Sequence, residues 1–129
     1  MNQIWHSVAQ LENQNAELFI DGCSTEELVN KYGSPLYVYS ESRIRENIQR
    51  LFQAYKNFYP RFEIFYAVKA NNHPAIVRIL SEEGAGADCS CIGELDIASL
   101  AKIDQNKQLF SPVFPSKETL SEALEKKVL

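Results

Sequence analysis

From Phe62 onward the apolar positions switch repeatedly between short continuous runs and a spacing of three to four residues. Runs of that length read as buried strands, and the wider spacing reads as helices with one apolar face. The first unit predicts a strand over Phe62–Lys69, then a helix opened by Pro74 with Ile76, Ile79 and Leu80 on one face, ending near Gly84. The second predicts a strand over Ala87–Cys91 and a helix from Gly93 to Ile103 carrying Leu95, Ala98 and Ala101. The third predicts a strand over Gln108–Phe114 and a helix capped by Ser116, with Leu120, Ala123, Leu124 and Val128 at helical spacing. Upstream, Leu36-Tyr37-Val38-Tyr39 reads as a strand and Glu41–Phe58 as an amphipathic helix buried through Ile44, Ile48, Leu51, Phe52 and Tyr55. Glu41 with Arg45, and Glu46 with Arg50, have the i,i+4 spacing that supports an exposed helical face. Strands and helices alternating every two dozen residues or so are the rhythm of an α/β fold built from βα units.

Lys69 is the only cation in the apolar run that begins at Phe62. Burying an ammonium is costly without a partner. Burial also disfavours the charged form, so a lysine there presents the neutral amine that attacks an aldehyde. The same pattern suits a strand-end lysine whose methylene stem lies along apolar surface while its head reaches water. The residue pattern leaves both readings open.

With 129 residues and 45% hydrophobic content, the composition is that of a soluble globular chain long enough for one modest domain. A net charge of −4 with both signs interspersed offers no basic stripe, which argues against nucleic-acid binding. No apolar run approaches the roughly 20 residues of a membrane span. The start, Met1-Asn2-Gln3-Ile4-Trp5-His6, lacks a cationic stretch followed by an apolar core, so a cytoplasmic location without membrane attachment is expected. Cys23, Cys89 and Cys91 form no disulfide framework. Cys89 and Cys91 would share one face of a strand, but His6 and His73 stand at no ligand spacing from them, so buried small apolar residues are expected and no metal.

Tyr66-Ala67-Val68-Lys69-Ala70-Asn71 resembles the pyridoxal-phosphate lysine motif of the ornithine/diaminopimelate/arginine decarboxylase family. The resemblance extends upstream through Tyr32-Gly33-Ser34-Pro35-Leu36-Tyr37-Val38-Tyr39 and downstream through Gly84-Ala85-Gly86-Ala87-Asp88 and Gly93-Glu94-Leu95. It implies a partial (β/α)8 barrel of three βα units over residues 36–129. Residues 1–35 would then be an N-terminal segment whose strand, near Leu18-Phe19-Ile20-Asp21-Gly22, joins a second domain in the family. A closed barrel takes eight strands and about 250 residues, so a truncated or split enzyme is expected.

By the same resemblance, Lys69 is the catalytic lysine that forms a Schiff base with pyridoxal 5'-phosphate, and Asp88 and Glu94 are cofactor-binding carboxylates beside it. From the residues alone, Asp88 also suits a strand end bonded to loop amides, and Glu94 a first-turn glutamate at a helix dipole. His73 reads as the residue that starts a helix, and Asn71 and Asn72 as loop-shaping residues. Pro112-Val113-Phe114-Pro115-Ser116, followed by Lys117, departs from the family's third-strand pattern. The family's phosphate loop, the acidic partner of the pyridine nitrogen, the ring-stacking histidine and the cysteine from a neighbouring subunit all belong to later segments. The implied function is an amino-acid decarboxylase, closest to diaminopimelate decarboxylases and inactive alone, with an amino-acid substrate and a complementing C-terminal fragment or homodimer partner. Two other readings stand beside it: a non-catalytic homologue that binds a partner protein, and an amino-acid racemase.

Overall fold

The computed structural model describes residues 10–128 and divides the chain into two compact units, Met1–Glu46 and Asn47–Leu129. The reading of Met1–His6 lies outside the described residues. In the first unit, β1 (Leu11–Gln14), β2 (Glu17–Ile20) and β3 (Cys23–Ser24) form an antiparallel sheet in that order. Both connections are two-residue turns with positive φ at each position, Asn15 and Ala16 in one, Asp21 and Gly22 in the other. That backbone matches the twist of paired strands, and Asp-Gly is among its strongest sequence signals. Asn13 Oδ1 accepts from the Ala16 N–H at 3.2 Å and steadies the less obvious turn. Ser24 then caps α1 (Thr25–Tyr32), accepting from the Glu27 N–H at 3.1 Å, and Gly33 ends it with φ 86°.

The helix expected over Glu41–Phe58 is α2 (Glu41–Lys56). Ser40 accepts from the Arg43 N–H at 3.0 Å, while Asp21 accepts from Ser40 Oγ, Ser42 Oγ and the Ser42 N–H. Arg45 and Glu41 form the expected ion pair at 2.7 Å, whereas Glu46 bonds Arg43 at 3.2 Å and Gln10 at 2.9 Å.

In the second unit, β4 (Phe65–Ala67), β5 (Gly86–Cys89) and β6 (Gln108–Phe110) make a parallel sheet in sequential order. The intervening helices are α3 (Pro74–Glu82) and α4 (Ile92–Leu100), and α5 (Lys117–Glu125) follows β6. Val68, Ala87 and Cys89 from the sheet side join Val77, Leu95, Ala98, Ala101, Ile103 and Ala123 in one buried cluster, so the helices cover one face. The many alanines let helix and sheet backbones approach closely. Side chains alternate along a strand, so Phe65, Ala67, Gly86, Asp88 and Leu109 lie on the other face. Gln108 is buried, and its amide donates to Ile103 O at 2.7 Å and to Ser99 Oγ at 3.4 Å.

Several expectations are corrected. Residues 36–39 form no strand among the described residues, and Tyr37 is 87% exposed, because an apolar run makes a strand only where its backbone finds a ladder partner. Phe62 is not in β4; its ring packs on Phe52 and Tyr55 of α2, with centroids 5.8 and 5.7 Å apart. Leu51 and Tyr55 are themselves exposed, as are Leu120 and Leu124, and α5 is anchored through Ala123. β6 stops at Phe110, which packs against the buried cluster, while Val113 and Phe114 stand in solvent.

Candidate functional site

Parallel strands in sequential order bring their C-terminal ends to one edge, where Lys69 lies just past β4, Asp88 within β5 and Ser111 just past β6. β4 is three residues long and passes into a 3-10 turn over Val68–Ala70. Val68 is fully buried and pins this turn to the core, and Lys69 then projects exposed. Of the two readings the residue pattern left open, the exposed lysine is the one found; what is corrected is the strand expected to reach Lys69, because the chain leaves it two residues early and the tight turn swings position 69 away from the packed layer.

The segment after Lys69 is tied at both ends. Tyr66 Oη donates to Asn71 O at 3.2 Å, and the His73 N–H donates to Asn71 Oδ1 at 3.0 Å. His73 is the cap of α3, its Nδ1 accepting from the Ala75 N–H at 3.3 Å with Pro74 behind it. The expected helix-starting role of His73 and the loop-shaping role of Asn71 are both present.

On the central strand, Asp88 is half-buried, paired in register with Ala67 of β4 and Leu109 of β6. Its Oδ1 accepts from Ser111 Oγ. Among the described residues Oδ2 has no hydrogen-bond partner, and Lys69 has neither an ion pair nor a hydrogen bond. Glu94, in the first turn of α4, is buried, and its Oε2 accepts from the Ser90 N–H at 2.7 Å and Ser90 Oγ at 3.0 Å. It therefore braces the β5–α4 loop from within the helix, holding the residue just before the Cys91 cap.

Cys89 is fully buried between these carboxylates, and burial first, then the charges of Glu94 and Asp88, push its thiol up to about 12. Cys91 is exposed, because β5 ends at Cys89 and the chain turns before α4. The expectation that both cysteines are buried on one strand face holds for Cys89 and fails for Cys91. Among the described residues no group of three or more His, Cys, Asp or Glu side chains is placed to hold a metal ion, and no helix is long and apolar enough to cross a membrane. Lys117 starts α5, with Ser116 as its cap. At the opposite, N-terminal edge, a cavity of about 140 Å³ is lined by Ser81, Lys102, Asp104 and Lys107 among others; it is separate from the Lys69 edge.

Sequence reasoning missed Ser111 and Ser90. Ser111 lay inside a segment read as continuing strand, and nothing local marks a serine as the partner of a carboxylate one strand away. The donor set fits the aldehyde end of pyridoxal phosphate: a solvent-reachable primary amine in the turn that follows β4 and a partly unpaired carboxylate on the neighbouring strand β5.

The model of the family described as pyridoxal-dependent decarboxylase, pyridoxal binding domain, matches residues 45–129. A diaminopimelate decarboxylase of Methanothermobacter thermautotrophicus is 46% identical over 99 residues, 77% of this chain and 23% of that protein. One from Aquifex aeolicus is 41% identical over 119 residues, 92% of this chain and 27% of that protein. The crystal structure of the Methanocaldococcus jannaschii diaminopimelate decarboxylase in complex with L-lysine superposes with a TM-score of 0.87 at 36% identity, covering 93% of this chain and 29% of that one. The chain thus spans about a quarter of the length of the curated relatives it matches.

Proposed function

This chain belongs to the pyridoxal-dependent decarboxylases, and from that membership we propose that it carries the lysine-bearing edge of a pyridoxal 5'-phosphate site in an amino-acid decarboxylase acting on diaminopimelate. The observation that supports it most directly is the pairing of β4 with β5, which brings an exposed lysine in the turn after β4 and a half-buried aspartate on β5 to the C-terminal edge of a parallel sheet. That edge is where barrel enzymes of this architecture gather their chemistry. The sequential strand order, with α3, α4 and α5 joined to one buried cluster, supports reading residues 36–129 as part of a (β/α)8 barrel and 1–35 as the segment leading to a second domain.

Pyridoxal phosphate supplies an aldehyde for an amine and a ring that takes up the electron pair left when a carboxylate departs. The residues of this chain supply what surrounds that chemistry. Lys69 offers the amine, held at the edge by buried Val68 and by the Tyr66–Asn71 bond. Asp88 offers a carboxylate oxygen to a nitrogen carried by Lys69, and Glu94 acts through Ser90, fixing the loop that closes this side of the site. The matched residues make up 23% and 27% of the two relatives. The activity is accordingly assigned to the full site, completed by a complementing C-terminal fragment or a second copy, and not to these residues alone.

The test is to incubate the chain with pyridoxal phosphate and a complementing fragment of a relative, reduce with borohydride, and map the adduct by peptide mass. Lys69 is expected as the main site, together with carbon dioxide release from diaminopimelate that Lys69→Ala abolishes. An adduct spread over exposed lysines such as Lys56, Lys102 and Lys117 would overturn the proposal.

A further inference from the structure

We propose that Ser111 is a positioning residue for the site: its hydroxyl holds Asp88 through Oδ1 so that Oδ2 is the acceptor presented to a nitrogen carried by Lys69. The inference deepens the decarboxylase reading and rests on it for its functional meaning. Its structural basis is independent. Three adjacent strands end with an amine from the β4 side, a carboxylate on β5 and a hydroxyl just past β6.

Ser111 is exposed, yet its backbone is not loose. Its N–H donates to Cys89 O at 2.8 Å, one step beyond the last residue of β6, so the residue is anchored to the strand that carries Asp88. Pro112 follows, half-buried, and its ring fixes φ and removes the next donor, so the ladder ends there. Between those two constraints the Ser111 Oγ is set against Asp88.

A carboxylate has two oxygens and can turn about its last torsion. Unheld, Asp88 would divide its time among orientations. With Oδ1 engaged by a neutral donor, one orientation is selected, and among the described residues Oδ2 keeps its acceptor capacity. Ser111 donates a hydrogen bond without bringing a charge, so it orients Asp88 without cancelling the negative field at the edge. No bond is made or broken by Ser111, and no proton leaves it.

The experiment compares wild type, Ser111→Ala and Ser111→Thr as full chains with the complementing fragment, using three readouts: the carboxyl 13C signal of Asp88, the rate of borohydride-trapped pyridoxyl adduct at Lys69, and the urea midpoint. A hydrogen bond to a charged group is worth enough for about a tenfold effect. Ser111→Ala is expected to shift the Asp88 signal and slow trapping about tenfold. Ser111→Thr, which keeps the hydroxyl, is expected to restore both. Unchanged Asp88 signal and trapping in Ser111→Ala overturn the proposal. So does a Ser111→Ala loss that tracks the urea midpoint and is not restored by Ser111→Thr. If wild type itself forms no adduct at Lys69, the decarboxylase reading fails. The Asp88 signal then decides alone: a shift in Ser111→Ala reversed in Ser111→Thr sustains the positioning role, and no shift ends it.

Discussion

Replacing Gly86 with alanine probes how β5, the strand that carries Asp88, is seated between its neighbours. A Cβ at Gly86 would stand 2.6 Å from Lys107 O and 2.7 and 2.8 Å from Cδ1 and Cε1 of the Phe65 ring. Nonbonded carbons are comfortable at about 3.5–4.0 Å, so both neighbours must retreat by several tenths of an ångström at once. The Phe65 ring is half-buried and can turn. Lys107 O is main chain immediately before β6, in a 3-10 turn whose Lys107 N–H bonds Asp104 O at 2.8 Å, and moving it opens the β5–β6 ladder. Overpacking costs about 1–3 kcal/mol, and a weakened ladder bond adds about 1 kcal/mol. Gly86 does not have positive φ, so alanine recovers about 0.4–1 kcal/mol through the unfolded chain. The balance is a loss of about 2 kcal/mol. At a typical urea slope this lowers the midpoint by about 1 M. Urea unfolding followed by circular dichroism measures it. A midpoint equal to or above that of wild type would refute the close seating of β5.

Iodoacetamide is expected to label exposed Cys23 and Cys91 in the native protein and buried Cys89 only in denaturant; fast native labelling of Cys89 would contradict its burial. The folded Cys89 thiol is raised from 9.0 to about 12, so its neutral form favours the fold below pH 9 and that contribution fades as pH climbs towards 12. Cys89→Ala should therefore flatten the decline in stability over that alkaline window, and an unaltered slope would count against it. Asp21 is held below its ordinary value of 3.8 by hydrogen bonds from Ser42 side chain and backbone and from Ser40. A lowered carboxyl stabilises above its unfolded value and loses that contribution as pH falls through the folded one. Asp21→Asn should weaken the acid-side dependence in a pH titration, and superimposable acid limbs would dismiss the role.

The βα rhythm and the helix starts at Pro74 and Ser116 were legible along the chain, because periodicity and caps are local properties. The motif around Lys69 carried the family as well, since it is one contiguous stretch of sequence. What the sequence could not state was which apolar residues found a partner. Leu36–Tyr39 has the composition of a strand but no ladder neighbour, and Leu124 has the spacing of a core residue but an exposed position. Asp21-Gly22 did carry a readable hairpin signal, whereas Asn15-Ala16 depended on a side-chain bond from Asn13. Tertiary structure alone decided that Lys69 is exposed, that Cys89 and Cys91 part company, and that Ser111 meets Asp88. Each of these is set by where a short strand stops or by what lies on the adjacent strand. Contacts between Asp88 and Ser111 span 23 residues of sequence, and only the parallel register of β5 and β6 brings them together.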